Sequence, residues 1–247
     1  GGRLQAVAVD SMATKWVTEA LPAGSHGTPQ SLSSLTVRDG YVYFGTAEAD
    51  YSSSYAGNLL CVRLADGKVM WNAANDSVGY YWSGMAFADS YGVIADDSGT
   101  VSVIDTVTGA TVSSIKVAER VRSTVLADGS TVYVVSNDGV LHKLSVASDG
   151  SISELGSVAF GSSSTSTPVL VNGKIVVGGT SLEGFQGGYQ NKYTYHYGQI
   201  AVIDADTLEV ENTVSKADGN YIRQYGYDAG GDSKSQPVVS VQDGKTY

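Results

Sequence analysis

Recognition chemistry in this chain would fall mainly to tyrosine. Of its 16 tyrosines, eleven (Tyr51, Tyr55, Tyr80, Tyr81, Tyr189, Tyr193, Tyr195, Tyr197, Tyr221, Tyr225 and Tyr227) crowd into four stretches, 46–56, 72–83, 179–197 and 215–236. Trp82 and His196 lie among them. A tyrosine ring presents a rigid apolar face and a hydroxyl at low entropic cost, which suits the recognition of a sugar, a peptide or a protein surface. These thirteen residues form the candidate ligand-binding set. Two other uses of the same rings compete with it. Long loops need a small core of their own, and the rings could also bury against a further part of the protein.

Other chemistry finds less support. The histidines His26, His142 and His196 have no ligand-like spacing, so no zinc site is expected. His142 alternates with apolar neighbours and is expected to face solvent or a sheet interface. Asp96-Asp97-Ser98-Gly99 and the run 228–232 offer oxygens that a structural Ca²⁺ could use, yet neither fits the spaced twelve-residue loop. Short Asp-Gly segments are ordinary turns. Cys61 is the single cysteine, so no internal disulfide forms, and its apolar strand points to an inert buried thiol. Neither a nucleophile elbow nor a phosphate-binding loop occurs. No catalytic residues are assigned.

The elements that must position these residues are short, β-rich and repeated. Gly-x-apolar-x-x-apolar begins at Gly2, Gly57, Gly99, Gly139 and Gly198, with spacings of 55, 42, 40 and 59 (57−2, 99−57, 139−99, 198−139). The two short spacings give a period of about 41, and the long ones carry insertions. Each copy runs into a turn such as Asp66-Gly67 or Asp149-Gly150. A second hairpin interleaves with it, turning at Asp39-Gly40, Asp89-Ser90, Asp128-Gly129, Asn172-Gly173 and Asp243-Gly244. Asx-Gly between apolar runs is a strong hairpin signal because both residues tolerate positive φ. No stretch sustains a helical apolar period. Two hairpins per unit make four strands, and tandem four-stranded units of this length predict an all-β fold, a β-propeller of antiparallel blades.

Composition narrows the partners. Charged residues make up 16%, the net charge is −10 and the pI is near 4.6. Nucleic acid and anionic lipid would be repelled, and no apolar run approaches the length of a membrane span. Acidity with few lysines suggests an exported protein, placed outside the cell, at its surface or in the periplasm. Nothing in the pattern sets an oligomeric state.

The outline D-G-x-V-Y-F-G-T, then G-x-L-x-x-x-x-x-x-D-G-K-x-x-W, resembles the quinoprotein-type (PQQ-like) β-propeller repeat. It is clearest over residues 37–71, and residues 2–16 repeat its second half with Trp16 in the tryptophan slot. Later copies lose that tryptophan, with Val112, Ile152 and Val210 or nearby residues in its place. The resemblance implies a family of dehydrogenases and non-catalytic scaffolds alike. Residues 1–247 read as a single propeller domain or partial propeller of about five blades' worth, a fragment of a seven- or eight-bladed ring if the ends do not pair. PQQ catalysis is not expected, because Cys61 lacks a vicinal partner. Blade topology places all four tyrosine-rich stretches, read as loops, on one face. The expected function is therefore a non-catalytic binding propeller for a glycan, peptide or partner protein, without cofactor. Alternatives are an assembly scaffold similar to the outer-membrane assembly propeller lipoproteins, or the base of a quinoprotein or glycan-active enzyme.

Overall fold

The computed structural model describes residues 2–23, 27–49, 54–187, 190, 192–215, 236–242 and 245–246. The fold is a β-propeller of four-stranded antiparallel blades. A leading pair, β1 (Gln5–Val7) and β2 (Thr14–Val17), precedes four complete meanders. The first blade is β3 (Thr36–Arg38), β4 (Tyr41–Ala49), β5 (Ser54–Arg63) and β6 (Val69–Asn75). The second is β7 (Ala86–Ala88), β8 (Tyr91–Ala95), β9 (Thr100–Ile104) and β10 (Thr111–Lys116). The third is β11 (Leu126–Asp128), β12 (Thr131–Val135), β13 (Val140–Val146) and β14 (Ile152–Ala159). The fourth is β15 (Val169–Val171), β16 (Lys174–Gly187), β17 (Tyr193–Asp204) and β18 (Val210–Ser215). A trailing pair, β19 (Val241–Gln242) and β20 (Lys245–Thr246), forms a sheet separate from β1–β2.

The blades stand because alternate side chains bury against opposite neighbours. In β4, Val42 and Phe44 pack toward Leu21 and the leading pair, whereas Tyr43 packs toward Met85, Ile94 and Ile104 of the second blade. The next two seams are built in the same way, Val101 and Val103 meeting Val132 and Val134, then Val135 and Leu141 meeting Ile175 and Ile203. The core is thus a series of apolar wedges between sheets. Innermost turns are tight: Asp39 and Gly40 sit at φ 51° and 82°, Asn172 and Gly173 at 50° and 73°. The repeated glycine has its own cause. A Cβ at Gly99 or Gly139 would collide with the carbonyl of Ala118 or Gly161, where the outgoing connector crosses.

The tryptophans dock one blade on the next. Trp16 lies over Gly67 and donates its Nε1–H to the Leu64 carbonyl at 2.8 Å. Trp71 lies over Gly109 and donates to the Thr106 carbonyl at 3.0 Å. The slot is set by pairing, Ala6↔Trp16 and Cys61↔Trp71. By the same pairing its later occupants are Ser113, Gly156 and Asn212, opposite Val103, Lys143 and Val202. Ser113 and Asn212 are close neighbours of Val112 and Val210, and Val112 itself lies over Gly150 of the next blade, whereas Gly156 lies four residues beyond Ile152 (156−152), so Ile152 is not the slot residue. Every blade's outer strand, β6 included, carries a bulge beside the slot, so the distance from the positive-φ turn residue is four in the first, second and fourth blades (71−67, 113−109, 212−208), and the third blade, at six (156−150), departs from it.

The stretches 46–56 and 179–197 also differ from the loops expected of them. The middle strands continue into them, Glu48 pairing with Ala56 and Gly187 with Tyr193. Backbone pairing carries the ladder outward, so these insertions are lengthened hairpins. No helix among the described residues is long and apolar enough to cross a membrane.

Candidate functional site

In an antiparallel meander the β4–β5 and β16–β17 hairpins project from the same end as the connectors leading to the next blade. Those connectors are pinned to that end by bridges Gln30↔Ala47, Val121↔Ser136 and Ser163↔Thr180. Tyr51, Tyr189, Tyr221, Tyr225 and Tyr227 fall outside the described residues. Tyr193 and Tyr195 lie on β17 opposite Gly187 and Phe185. Tyr55, on β5, is half-buried. His196 and Tyr197 are half-buried too and tied to one bulge: His196 Nδ1 is 2.8 Å from the Ser181 carbonyl, and the Tyr197 N–H donates to Ser181 Oγ at 3.0 Å. Leu182, in that bulge, is 61% exposed.

Tyr80 does not belong to this surface. It is 8% exposed and packs into the wedge between the first two blades, over Gly45, where a larger residue would leave it no room. Burial pushes its hydroxyl pKa up. Tyr81 and Trp82, next in sequence, remain half-buried and meet edge-to-face with centroids 5.1 Å apart. The backbone N–H of Tyr81 donates to both carboxylate oxygens of Asp97, at 3.0 and 3.1 Å, which fixes the start of this connector.

Sequence reasoning missed Arg122. Its guanidinium sits 5.4 Å from the centre of the Trp82 ring. The two residues occupy equivalent places, each preceding the serine (Ser83 or Ser123) that lies three residues before the next innermost strand (86−83, 126−123). Successive connectors are tied here, since the Gly84 N–H donates to Thr124 Oγ1 and the Thr124 N–H to Thr167 Oγ1, both at 3.1 Å. Equivalence across one blade period was the signal available. Leu32, the matching residue of the first connector, is 60% exposed. Tyr81, Trp82, Arg122 and Leu32 therefore gather aromatic, cationic and apolar groups at the end that also carries the long hairpins. Tyrosine, tryptophan and arginine are the residue types that dominate protein–protein anchor points.

His142 is neither solvent-facing nor free. It is 7% exposed, with Nδ1 2.9 Å from Glu154 Oε1 and Nε2 3.2 Å from Ser136 Oγ. The order Ser–His–acid matches a hydrolytic triad, but Ser136 is fully buried and its hydroxyl already contacts Asp138 Oδ1 and the Val140 carbonyl. No substrate reaches that oxygen, so the cluster braces the third blade. Asp96 Oδ1 is similarly engaged, accepting from the Ser98 N–H, the Ser98 hydroxyl and the Thr100 N–H. Among the described residues no group of three or more His, Cys, Asp or Glu is placed to hold a metal ion. The Cys61 thiol is buried, and burial pushes it up to about 11 and Tyr43 beside it to about 12. A shallow groove of about 480 Å³ runs along the innermost strands, between Leu126 and Leu170 on one side and Pro237 and Val238 on the other.

A family model described as outer membrane protein assembly factor BamB matches residues 79–246. No curated protein matches the chain in sequence. Among solved structures, BamB from Moraxella catarrhalis is 16% identical with a TM-score of 0.56, over 82% of this chain and 56% of that one. The Pan2 WD40 domain of Neurospora crassa is 14% identical with a TM-score of 0.59, over 87% and 60%. The computationally designed Ika8 protein is 14% identical with a TM-score of 0.53, over 69% and 48%. At these identities the likeness is one of fold. The chain spans 56% of the length of the Moraxella protein it resembles.

Proposed function

The chain belongs to the family of the outer membrane protein assembly factor BamB, a propeller of PQQ-like repeats, and on that premise we propose that it is a non-catalytic, exported propeller that holds a partner protein at the hairpin-and-connector end. Location in the periplasm or against the outer membrane accords with the family. The observation that carries the reading is the grouping of Tyr81, Trp82 and Arg122 at that end. Loops and hairpins on a rigid scaffold are where binding residues collect, and a partner that covers a half-buried Trp–Arg pair gains more than one that covers polar turns. Catalysis has no open nucleophile to work with in the His142 cluster. The tyrosines that first suggested a glycan are partly spent on structure, Tyr80 in a core wedge being the example.

The test is site-specific photo-crosslinking in the cells that make the protein. A photoreactive residue at position 32 or 182 samples this end, and one at position 9 or 107 samples the opposite turns, where Val9 and Val107 are 94% and 84% exposed. Discrete protein adducts from 32 and 182, with none from 9 and 107, are expected. Adducts from all four positions alike, or none from 32 and 182 while a glycan array responds, would overturn the proposal.

A further inference from the structure

We propose that Arg122, braced by Trp82, grips a carboxylate on the docking segment of the partner; this deepens the reading above and rests on it. Three observations converge on the same place. First, among the described residues the buried side-chain polar atoms without a hydrogen-bond partner are Ser83 Oγ, Arg122 Nε and Asn137 Oδ1. All three lie at the hairpin-and-connector end of consecutive blades. Ser83 precedes Gly84, whose N–H reaches Thr124, two residues beyond Arg122. Asn137 donates its own N–H to the Arg120 carbonyl at 3.0 Å. Buried polar atoms are almost always satisfied in a folded protein; Ser83 is fully buried, whereas Arg122 and Asn137 are half-buried, so theirs are the side chains that a group from outside can reach.

Second, Arg122 is half-buried, whereas Lys15, Lys68, Arg120 and Lys192, which likewise lack a side-chain partner among the described residues, are exposed. With 25 acidic residues against 15 lysines and arginines, carboxylate partners are plentiful. Arg38, Arg63, Lys143 and Lys174 all lie within 4 Å of one, at 3.3, 2.5, 3.9 and 2.7 Å. Arg3 and Lys116 cap backbone carbonyls instead. Arg122 has neither kind of partner among the described residues; its contact is the Trp82 ring. Third, a guanidinium over a ring face, as here at 5.4 Å, makes a cation–π contact that occupies none of its N–H donors. Those donors form a fork that fits a carboxylate bidentately. Trp82 also restricts the side chain beforehand, so less rotamer freedom is lost on binding.

The charge of the whole chain narrows the occupant. At −10 it repels a polyacidic stretch. A mostly neutral segment with an isolated Glu or Asp avoids that repulsion while still filling the fork.

The experiment uses the full chain, ¹⁵N-labelled, with two neutral Gly/Ser/Thr peptides that differ only in a central Glu or Gln. The Glu peptide should move the Arg122 Nε–H and Trp82 Nε1–H resonances and bind about tenfold more tightly than the Gln peptide, the factor expected of a charge-assisted fork. R122Q should abolish that preference at unchanged melting temperature, and R122K, which keeps the charge but not the fork, should restore only part of it. Equal binding of the two peptides, a preference that survives R122Q, or no shift at roughly 10 mM peptide, weaker than a lone charge-assisted contact should be, would each overturn the inference. If R122Q still gives adducts from positions 32 and 182, the partner-binding reading stands without the carboxylate grip. Loss of those adducts in the unsubstituted chain removes both.

Discussion

The seam between the first and second blades and the seam between the third and fourth do the same job with opposite parts. At the first, Trp71 fills the slot and Gly109, at φ 78°, makes way for it. At the later seam the slot holds Gly156, and the turn holds Leu208 at φ 61°, whose Cδ1 lies 3.2 Å from where a Cβ of Gly156 would be. Large and small have changed sides. The carbonyl that receives the docking hydrogen bond stays in place, at Thr106 in one turn and Ala205 in the other. Its donor changes from the Trp71 indole to the Tyr133 hydroxyl at 3.0 Å, helped by Lys143 Nζ at 2.8 Å. What the fold requires is therefore a filled wedge and a satisfied carbonyl; which blade supplies the bulk is free to vary.

Removing Trp71 should have the largest effect. Trp71→Ala empties a half-buried slot and leaves the Thr106 carbonyl unpaired, at a cost of about 3 kcal/mol, the low end for a large aromatic truncated in a core. Denaturant or thermal unfolding reads this directly. The counterpart, Tyr133→Phe, should cost no more than about 1 kcal/mol, because Lys143 still serves the same carbonyl. Equal losses at the two seams would end the comparison. A middle-sized effect tests the exchange of sides itself. Gly156→Trp drives an indole into Leu208 and should destabilise by about 1–3 kcal/mol, as overpacking does. Adding Leu208→Gly should recover most of that, because it clears the space and relieves a left-handed leucine. A double mutant no better than Gly156→Trp alone would show that the late seam is not the early one inverted.

The same seams explain what could be read beforehand. Gly99 and Gly139 were legible because a crossing connector forbids any side chain there, and the Asx-Gly turns were legible because positive φ selects those residues. The slot residue Gly156 was not, since the third blade has two more residues between turn and slot than the first (156−150 against 71−67), and composition does not mark them. The two insertions read as loops because Gly, Ser and Tyr dominate them, yet strand pairing depends on continuing backbone partners, which no composition reports. Tyr80 was placed on the surface with its neighbours, although a tyrosine beside a glycine gap can as readily be core. Arg122 escaped notice because its meaning comes from Trp82, one blade earlier, while its own neighbours suggest an ordinary solvated connector.

The smallest expected effect compares the outer turns of the first and fourth blades in acid. Asp66 is hydrogen-bonded to the Arg63 guanidinium and the Lys68 N–H, which lower its pKa to about 2. Asp204 is held lower still, first by Lys174 and then by the Thr207 N–H and hydroxyl. A carboxylate depressed in the folded state adds stability in full above its unfolded value of about 3.9, and loses it as pH falls through the folded value. Asp66 is exposed and Asp204 half-buried at the surface, so solvent screens both and the gain is small. Melting temperature should hold through neutral pH and fall below about pH 4, the first-blade turn giving up its share before the fourth. Asp66→Asn should lower the plateau slightly and flatten the curve between about pH 4 and 2, and Asp204→Asn should flatten it further toward lower pH. Curves for both variants that run parallel to the unsubstituted protein through that window would show that neither turn depends on its ionised aspartate, and that the two ends of the blade series do not differ in acid.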